Sequence, residues 1–511
     1  MADDYVTDVD YVDGFYEFQS PAALNWVALL NGFAPLPLDG EFNYCELGCG
    51  HGLTSTLLAT SYPRARFWAI DINATYVDRA AARASAVGAD NLCFLALDAG
   101  DEAATTDLPK FDFITLHGLY SWVGNEVRAH LRAFLRRHLK PGGMVMVSYN
   151  ALPGWASLQP IREMAHAYAA RAPGNSLDKG RHALAYLKFL AENKALYFEQ
   201  NPLARSELDR FLNADLNYVV HELMTTHGEP FYFSQVCDAM AEIGLSYAGD
   251  TRLRESFYEF MAPAEFLPLL KSAPTREVLE IHKDFIVNRR FRRDVYVAQP
   301  ATQKDMAQTR ERFGPVRVAL VRLPEQLPET GEYDGVVYDL RPHMAEASRI
   351  ALALADGSLS MAELADRLQV ADADWPGLLN SVKQLLLTGL LQPAAAHIGA
   401  ADRQRFARLN ASLIDLAGRQ QRTEVALACS AYGGARGFSL GFSLALQCSR
   451  EFASLQEAAM QAAARLAQLG MRLDIKDSPA PDSEQAVNFF KASIENIREG
   501  ADGRLVALLG I

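Results

Sequence analysis

The first 150 residues alternate between short apolar runs and segments with helical periodicity. The apolar runs have the length of buried strands and occupy residues 43–47, 66–72, 91–97, 111–116 and 144–149. Amphipathic spacing predicts helices over residues 53–61, 76–87 and 126–139, and an earlier helix that begins at Ser20-Pro21 and ends near Gly32. Strands that alternate with helices through short connections form a parallel sheet covered on both faces. The pattern therefore predicts an α/β, Rossmann-like, doubly wound sheet.

After this sheet the apolar pattern becomes mostly helical. Residues 158–245 predict helices, with breaks at 173–174 and 228–230. Strands at 244–248 and 291–298, separated by a helix over 277–288, are interpreted as an antiparallel edge of the same sheet. The first domain would then span residues 1–300, with a helical insertion at about 173–235. Insertions ahead of such an edge are a common place for substrate contacts.

The remaining chain predicts two further units. Residues 301–400 contain strands at 316–321 and 335–340, and then the order helix, helix, helix, short strand over 346–392, which resembles a winged helix. Residues 401–511 contain a glycine-rich segment at 433–437 and Ala-rich helices around 457–469, and predict a C-terminal accessory α+β domain. At roughly 100–200 residues per domain, a chain of 511 residues fits three domains.

Composition and charge exclude several classes of protein. The net charge is −13, and the first 20 residues carry six acidic and no basic side chains, unlike a secretory or basic targeting sequence. No apolar run approaches the roughly 18 residues of a membrane span, so no membrane insertion is expected. The six cysteines form no C-x-x-C or zinc-site spacing, and Cys45 and Cys93 are expected to be small apolar core residues. These features predict a cytoplasmic protein without a structural metal; homo-oligomerisation stays open.

A glycine-rich turn follows the first predicted strand and opens the next helix. It reads Glu46-Leu47-Gly48-Cys49-Gly50-His51-Gly52. Glycines let the backbone approach a ligand closely, and a helix N-terminus offers free N–H groups. NAD enzymes use a related turn, but the third glycine of their pattern falls here on Leu53. The E-x-G-x-G-x-G form favours S-adenosylmethionine, bound by Glu46, Gly48, Cys49, Gly50 and Gly52.

The ends of the next two strands support the same cofactor. Asp71 ends the second strand, 25 residues after Glu46, where a carboxylate can accept hydrogen bonds from both ribose hydroxyls. Ile72 beside it would pack on the adenine face. Asp98 ends the third strand, where its carboxylate or the Ala99 N–H can meet the adenine edge. Each aspartate could instead cap the following helix or turn, but their order and spacing together favour a methyltransferase cofactor site.

Several stretches of the chain resemble one known family. They are Phe18-Gln19-Ser20-Pro21, the glycine-rich turn, residues 117–123 and 148–155 after the fourth and fifth strands, and residues 221–224, 230–233, 244–247 and 288–293. They resemble class I methyltransferases with a methyltransferase regulatory domain, which include bacterial protein-lysine methyltransferases acting on outer-membrane proteins. The resemblance covers residues 10–300 well, is looser over 343–392 and is weak beyond 400. His51 departs from it, because the family often has Asp there.

The tips of the fourth and fifth strands carry the candidate acceptor site, since ligands bind at strand carboxyl ends in this fold. The proposed catalytic residues are His117, which would also contact the cofactor, and Tyr120, Tyr149, Asn150 and Trp155. Only Tyr120 matches the Asn-Pro-Pro-Tyr motif of amino-methylating relatives. A lysine amine must lose a proton before it attacks, assisted by desolvation or a neighbouring acceptor, and aromatic faces hold cations. The alternative is that these aromatic residues and Trp122 belong to the core, and that His117 is a structural polar residue.

Three other features carry weaker hypotheses. His221-Glu222 lies within a helical pattern and is interpreted as a packing and hydrogen-bonding site. The basic cluster of Arg289, Arg290, Arg292 and Arg293 could meet an acidic protein or a phosphate, but a solvated strand rim is favoured. Residues 357–392 carry two basic side chains against four acidic ones. The winged-helix-like segment is therefore expected to contact protein and to bind no nucleic acid.

The leading hypothesis is a protein-lysine N-methyltransferase that uses S-adenosylmethionine, no metal, and a protein substrate. The first alternative is a small-molecule N- or O-methyltransferase whose accessory domains act as a lid or a dimer interface. The second is a non-catalytic scaffold that binds the cofactor as a sensor.

Overall fold

The computed structural model describes residues 8–9, 14–299, 309–333, 336–339, 341–395, 399–473 and 483–511. Most of the acidic N-terminus, the first residues of the predicted 301–400 unit, and both ends of the predicted strand 335–340 lie outside the described residues. Within the described ranges, no helix combines the length and the apolar character needed to cross a bilayer.

A seven-stranded sheet organises the first part of the chain. Its strands are β1 (Asn43–Leu47), β2 (Arg66–Asp71), β3 (Leu92–Ala96), β4 (Phe111–Leu116), β5 (Leu139–Asn150), β6 (Ser246–Asp250) and β7 (Phe291–Val297). Their spatial order is β3-β2-β1-β4-β5-β7-β6. Strands β1 to β5 pair in parallel, whereas β7 pairs antiparallel with both β5 and β6. The predicted doubly wound sheet and its antiparallel edge are confirmed.

Helices between these strands begin and end where local chemistry satisfies their free backbone groups. They are α1 (Pro21–Leu30), α2 (Leu53–Ser61), α3 (Ala74–Val87), α4 (Glu102–Thr105) and α5 (Asn125–His138). The Ser20 hydroxyl caps α1, as predicted, by accepting the Ala23 N–H. Helix α3 begins two residues before the predicted start because the Asn73 side chain accepts the N–H groups of Thr75 and Tyr76.

Two details of the sheet differ from the sequence-based expectation. The Lys140-Pro141-Gly142-Gly143 segment, expected as a turn, lies within β5, and the β4–β5 register shifts between Phe111 and Phe113. The shift accommodates residues 140–143 in β5, which lie between the positions paired with Phe111 and Phe113. Cys45 is buried as predicted, but the prediction for Cys93 is wrong: it is exposed, because β3 is an edge strand of the sheet.

A helical insertion separates β5 from the antiparallel edge. It comprises α6 (Gln159–Ala169), α7 (Ser176–Glu192), α8 (Leu196–Gln200), α9 (Pro202–Leu212), α10 (Leu216–Met224) and α11 (Phe233–Ala241). Helices α12 (Leu267–Lys271) and α13 (Arg276–Ile286) then connect β6 to β7. The insertion has its own core, which includes Leu187, Phe211 and Val219 and also takes in Trp155. Its helices therefore start ahead of the predicted boundary near residue 173.

The middle unit combines a three-stranded and a two-stranded sheet with four helices. Its elements are α14 (Thr309–Phe313), β8 (Arg317–Leu320), β9 (Thr330–Tyr333), β10 (Val336–Asp339), α15 (Met344–Ala353), β11 (Leu359–Ser360), α16 (Met361–Arg367), α17 (Trp375–Leu387) and β12 (Leu391–Ala394). Three strands pair in the order β11-β8-β12, and Ser360 caps α16 as predicted. The central strand β8 follows α14 and precedes the other three helices in the chain. The winged-helix interpretation stays a prediction.

The C-terminal unit packs on the first domain. It contains α18 (Ala400–Arg419), β13 (Glu424–Cys429), β14 (Gly434–Ser439), α19 (Leu440–Glu451), α20 (Leu455–Gln468), α21 (Glu484–Glu499) and α22 (Ala501–Leu509). Leu409 of α18 belongs to the same hydrophobic cluster as Leu57 of α2 and Val87 of α3. The Arg408 Nε–H also donates to the Val87 carbonyl at 3.1 Å. The unit and the first domain therefore share one core.

Candidate active site

A cavity of about 750 Å³ opens at the carboxyl ends of β1 to β4. Its wall includes the glycine-rich turn after β1, the residues that follow β2 and β3, and the segment after β4. The spatial order of the strands reverses between β1 and β4, and ligands bind in this crevice in doubly wound sheets. The volume lies within the roughly 300–1,000 Å³ of small-molecule sites.

The glycine-rich turn exposes main-chain atoms to the cavity, because its glycines have no side chains. Gly48 and Gly50 line the cavity, and both adopt the left-handed conformation that favours glycine, with φ of 73° and 52°. Gly52 does not line the cavity and acts through packing. A Cβ built on Gly52 would lie 2.3 Å from the Phe94 ring and 2.9 Å from the Ala80 Cβ. The missing side chain therefore lets the start of α2 lie against β3 and α3.

Asp71 both holds the turn and faces the cavity. Its Oδ2 accepts the Gly50 N–H at 2.8 Å, and its Oδ1 accepts the Asn73 N–H at 2.9 Å. Burial raises the pKa of this carboxyl, and the two N–H donors oppose that rise. Each oxygen keeps a second lone pair for a ribose hydroxyl. Asn73 itself caps α3, so Asp71 is not the helix cap; it caps the turn before the helix, as the alternative allowed, and still borders the cavity.

The adenine side of the cavity carries an uncovered apolar residue. Ile72 lines the cavity and is 51% exposed, so a ring packed against it would remove apolar surface from water. Asp98 and Ala99 also line the cavity. The Asp98 Oδ1 accepts the Gly100 N–H at 2.8 Å, so this aspartate caps a turn, as the alternative allowed, and still borders the cavity.

Glu46 lies beneath the glycine-rich turn. Its carboxylate accepts hydrogen bonds from the Gln19 amide at 3.2 Å and from the Ser55 hydroxyl. Burial raises its pKa to about 7, although both donors act in the opposite direction. These bonds tie β1, α2 and the segment before α1 together at the cavity floor, which Glu46 lines.

The residues present fit S-adenosylmethionine. Asp71 would hold the ribose, Ile72 and Ala99 the adenine, and the Gly48–Gly50 backbone the amino-acid portion, since these groups line one continuous cavity. When bound, the cofactor supplies a methyl group on a sulfonium, which is already activated for displacement. Across the described residues, no cluster of three or more His, Cys, Asp or Glu side chains could hold a metal ion.

His117 is buried between aromatic rings at the cavity wall. Its ring centroid lies 4.1 Å from that of Tyr16 and 4.9 Å from that of Phe18. The Ser148 Oγ accepts the Gly118 N–H at 2.9 Å and lies 2.8 Å from the His117 Nδ1, so its hydroxyl can donate to the ring. Burial, with the charge of Arg293, lowers the His117 pKa to about 3. The imidazole is therefore neutral at physiological pH and cannot act as a cation.

His117 lies at the cavity wall, as expected, but the other four catalytic candidates do not. None of Tyr120, Tyr149, Asn150 and Trp155 lines the cavity. The buried Tyr149 hydroxyl donates to Asp294 Oδ2 at 2.6 Å, on the antiparallel edge of the sheet. Tyr120 packs on Phe231, and Trp155 packs on Trp122. Tyr149, Tyr120 and Trp155 therefore contact other side chains instead of the cavity. A direct role of the four candidates at the acceptor stays a prediction.

Residues of the helical insertion, together with Trp122 from the turn after β4, complete the cavity wall. Trp122, His221, Glu222 and His227 line the same cavity. His221 has the hydrogen-bonding role that the sequence predicted, since its Nε2 lies 3.0 Å from the Val9 carbonyl oxygen. Glu222 was interpreted with His221 as a packing and hydrogen-bonding site, and its place at the cavity was not predicted. The available signal was a charged side chain on an apolar helix, within the insertion where this fold class contacts substrates.

Two of the four arginines before and within β7, Arg289 and Arg292, are buried, so the interpretation of the cluster as a solvated rim is wrong for them. Arg292 is 1% exposed and contacts Glu280 and Asp294 at 3.0 Å and Asp284 at 2.6 Å. Arg289 is also buried and pairs with Glu255. Burial alone would raise the pKa of Glu280, but Lys283 and Arg292 lower it to about 2. The arginines neutralise buried carboxylates between α13 and the sheet.

Two family models match this chain. One is described as "Methyltransferase domain" and matches residues 45–145, and the other as "Predicted methyltransferase regulatory domain" and matches residues 215–298. The second range contains α10, which supplies Glu222 to the cavity.

Comparison with known proteins extends the match over most of the chain. An uncharacterized protein of Synechocystis sp. is 32% identical over 412 residues, which cover 78% of each chain. A malonyl-[acyl-carrier protein] O-methyltransferase of Paenibacillus sp. is 26% identical over 144 residues, 28% of this chain and 49% of its own. The solved structure of PKMT2 from Rickettsia typhi in complex with AdoHcy superposes with a TM-score of 0.72 at 19% identity, over 98% of this chain and all of the other. This last likeness shows a shared fold.

Motif, cavity and comparisons agree on the enzyme class and on its cofactor. The chain belongs to the class I S-adenosylmethionine-dependent methyltransferases that carry a methyltransferase regulatory domain.

Proposed function

We propose that this methyltransferase transfers methyl groups to lysine side chains of protein substrates. The observation that carries the proposal is that Trp122 and Glu222 line the same cavity as the cofactor turn. An aromatic face and a carboxylate are the two groups that recognise an alkylammonium ion.

The neutral state of His117 supports the same acceptor. A protonated imidazole beside the methyl-transfer site would repel an incoming ammonium ion, but burial keeps the pKa of this ring near 3. His117, packed between Tyr16 and Phe18, contributes a polar but uncharged boundary. The walls of the cavity thus exclude water from an amine and hold it in place, and positioning supplies much of the rate in a methyl displacement.

Two further observations support a protein as the carrier of that amine. Large apolar side chains of the helical insertion are more than half exposed, namely Phe189, Leu196 and Leu203, and exposed apolar surface of this kind favours protein contacts. PKMT2 of R. typhi, whose fold spans the same length, is a protein lysine methyltransferase.

The proposal is tested by incubating the enzyme with methyl-tritiated S-adenosylmethionine and a bacterial lysate. We expect label in the protein fraction, and mass spectrometry should locate the added methyl groups on lysine. The Asp71→Ala variant, impaired in cofactor binding, serves as the negative control. Label confined to small molecules, or found only on carboxylates or hydroxyls, would overturn the proposal in favour of a small-molecule or O-methyltransferase. A protein that binds the cofactor and transfers no label would be the non-catalytic scaffold.

A further inference from the structure

We infer that Glu222 is the acid–base residue of the reaction: its carboxylate receives the acceptor's ammonium group and takes up the proton that the amine must lose. This inference rests on the proposed function and names the residue that makes the site specific for an amine. Glu222 belongs to the region matched by the regulatory-domain model, and not to the region matched by the methyltransferase-domain model.

The position of Glu222 is the first support. It lies near the end of α10 and lines the cavity that also contains Asp71 and His117. The Trp122 side chain, from the short helical turn Tyr120–Trp122 after β4, lines the same cavity. An amine that reaches the cofactor through this wall therefore meets a carboxylate and an indole together.

The segment that carries Glu222 is held by a buried arginine of the neighbouring helix. The Arg162 Nε–H donates to the Glu222 carbonyl at 3.2 Å, and its Nη2 donates to the carbonyls of His227, at 2.9 Å, and Thr225. Gly228 leaves the space for this contact, because a Cβ there would lie 2.2 Å from the guanidinium carbon. Arg162 thus donates to three main-chain carbonyls of this segment and positions the Glu222 backbone.

The Glu222 carboxylate has no partner of its own. Over the described part of the chain, no hydrogen bond or ion pair reaches either of its side-chain oxygens, although the side chain is partly buried. Two further arginines face it, but Arg210 and Arg290 both pair with Glu207. A partly buried carboxylate without a donor is costly, and an incoming ammonium would satisfy it.

The ionisation of Glu222 suits proton uptake near neutral pH. Burial raises its pKa to about 7, opposed by the charges of Arg210, Arg162 and Arg290. Tyr218 on the same helix and the neighbouring His221 and His227 are the other titratable groups beside it. A general base is most effective when its pKa lies near the working pH.

The proposed methyl transfer accounts for every bond, proton and electron pair. One N–H bond of the lysine ammonium breaks, its electron pair stays on nitrogen, and the proton passes to a Glu222 oxygen. The nitrogen lone pair then forms the new N–CH₃ bond while the methyl–sulfur bond of the donor breaks and its electron pair stays on sulfur. The product is a methylated ammonium and a neutral thioether, and Glu222 returns its proton to solvent on product release.

The test compares Glu222→Gln with wild type, using as acceptor the lysate proteins that wild type labels on lysine. The amide keeps the shape of the side chain but cannot take up the proton. We expect the methylation rate at pH 7.5 to fall by at least about 100-fold, the scale of general-base catalysis. The wild-type rate should rise with pH through an inflection near 7 that the variant lacks. Glu222→Asp should restore part of the rate.

Two controls keep the outcomes separate. Glu163→Gln removes an exposed carboxylate of α6 that also lies near Arg162 but does not line the cavity, and it should keep the wild-type rate and pH profile. Isothermal titration with S-adenosylhomocysteine should give affinities within twofold for all variants, which shows that the cofactor site is intact. A Glu222→Gln rate within threefold of wild type, with the same pH profile, overturns the inference alone. Wild type that labels no lysine overturns the proposed function and this inference with it.

Discussion

Two carboxylates on adjacent strands divide the work of the cofactor site. Glu46 of β1 is almost fully buried, and its carboxylate accepts hydrogen bonds from Gln19 and Ser55. These bonds hold together the elements around the turn. Asp71 of β2 is more accessible and keeps acceptor capacity toward the cavity. Glu46 therefore supports the shape of the site, and we expect Asp71 to be the residue that holds the ribose of the cofactor.

The Asp71→Ala variant should bind S-adenosylhomocysteine more weakly by a factor of at least about 100. It loses hydrogen bonds to ribose, and bonds to a charged group contribute about 1.5–3 kcal/mol each. The measurement is isothermal titration, with the melting temperature as a check on folding. Asp78→Ala, an exposed carboxylate of α3, is the matched control and should change neither quantity. Unchanged affinity with a large fall in melting temperature would mean that Asp71 only holds the glycine-rich turn.

Among the elements, the antiparallel edge is joined to the parallel sheet by charge as well as by strand pairing. Arg292 of β7 contacts Glu280 and Asp284 of α13 as well as Asp294 of its own strand, and Asp294 in turn accepts the Tyr149 hydroxyl of β5. One guanidinium thus links β7, α13 and the tip of β5. This network explains why Tyr149 lies away from the cavity.

The Arg292→Met variant should lose about 3–5 kcal/mol of unfolding free energy at pH 7, because it leaves buried carboxylates without their cation. Urea denaturation measures this loss. Arg181→Met, which removes an exposed arginine paired with Asp178, should change the unfolding free energy by no more than about 0.5 kcal/mol.

The same network predicts a pH dependence. The folded-state pKa of Glu280 is depressed to about 2 from a usual value of 4.5. Its contribution to stability is therefore fully present above pH 4.5 and is lost as the pH falls through about 2. Arg292→Met should weaken this acid sensitivity, since one of the cations that lower the Glu280 pKa is gone and Lys283 remains. A variant as stable as wild type at pH 7 would contradict the assigned role of the arginine.

At the scale of the whole molecule, the C-terminal unit and the first domain should unfold as one. Leu409 of α18 is fully buried in the cluster that also contains Leu57 and Val87 of the first domain. Leu409→Ala should cost about 2–5 kcal/mol and lower the temperature of a single calorimetric transition. Leu352→Ala, at a side chain that is 66% exposed, is the control and should have little effect. A second transition that appears only in the Leu409 variant would mean that the units fold independently.

The sequence by itself determined the sheet, its antiparallel edge and the cofactor turn. Strand and helix periodicity, the Ser20 cap and the glycine spacing are local properties, and parallel strands bring their carboxyl ends to one edge whatever the packing around them. Glu46, Asp71 and Asp98 could therefore be assigned to one cavity from their places at strand ends. The family resemblance added the methyl donor and the expectation of an amine acceptor.

Only the tertiary structure decided which side chains face the acceptor. Tyr149 has the sequence context of an active-site residue, but its hydroxyl donates to the buried Asp294 of β7 and does not reach the cavity. Glu222 lies 151 positions after Asp71 in the chain, yet both residues line the same cavity. The hydrogen bond from Arg162 to the Glu222 carbonyl holds the segment in this position. The direction of a side chain depends on which partner can satisfy its polar atoms, and that partner is known only once distant segments have packed.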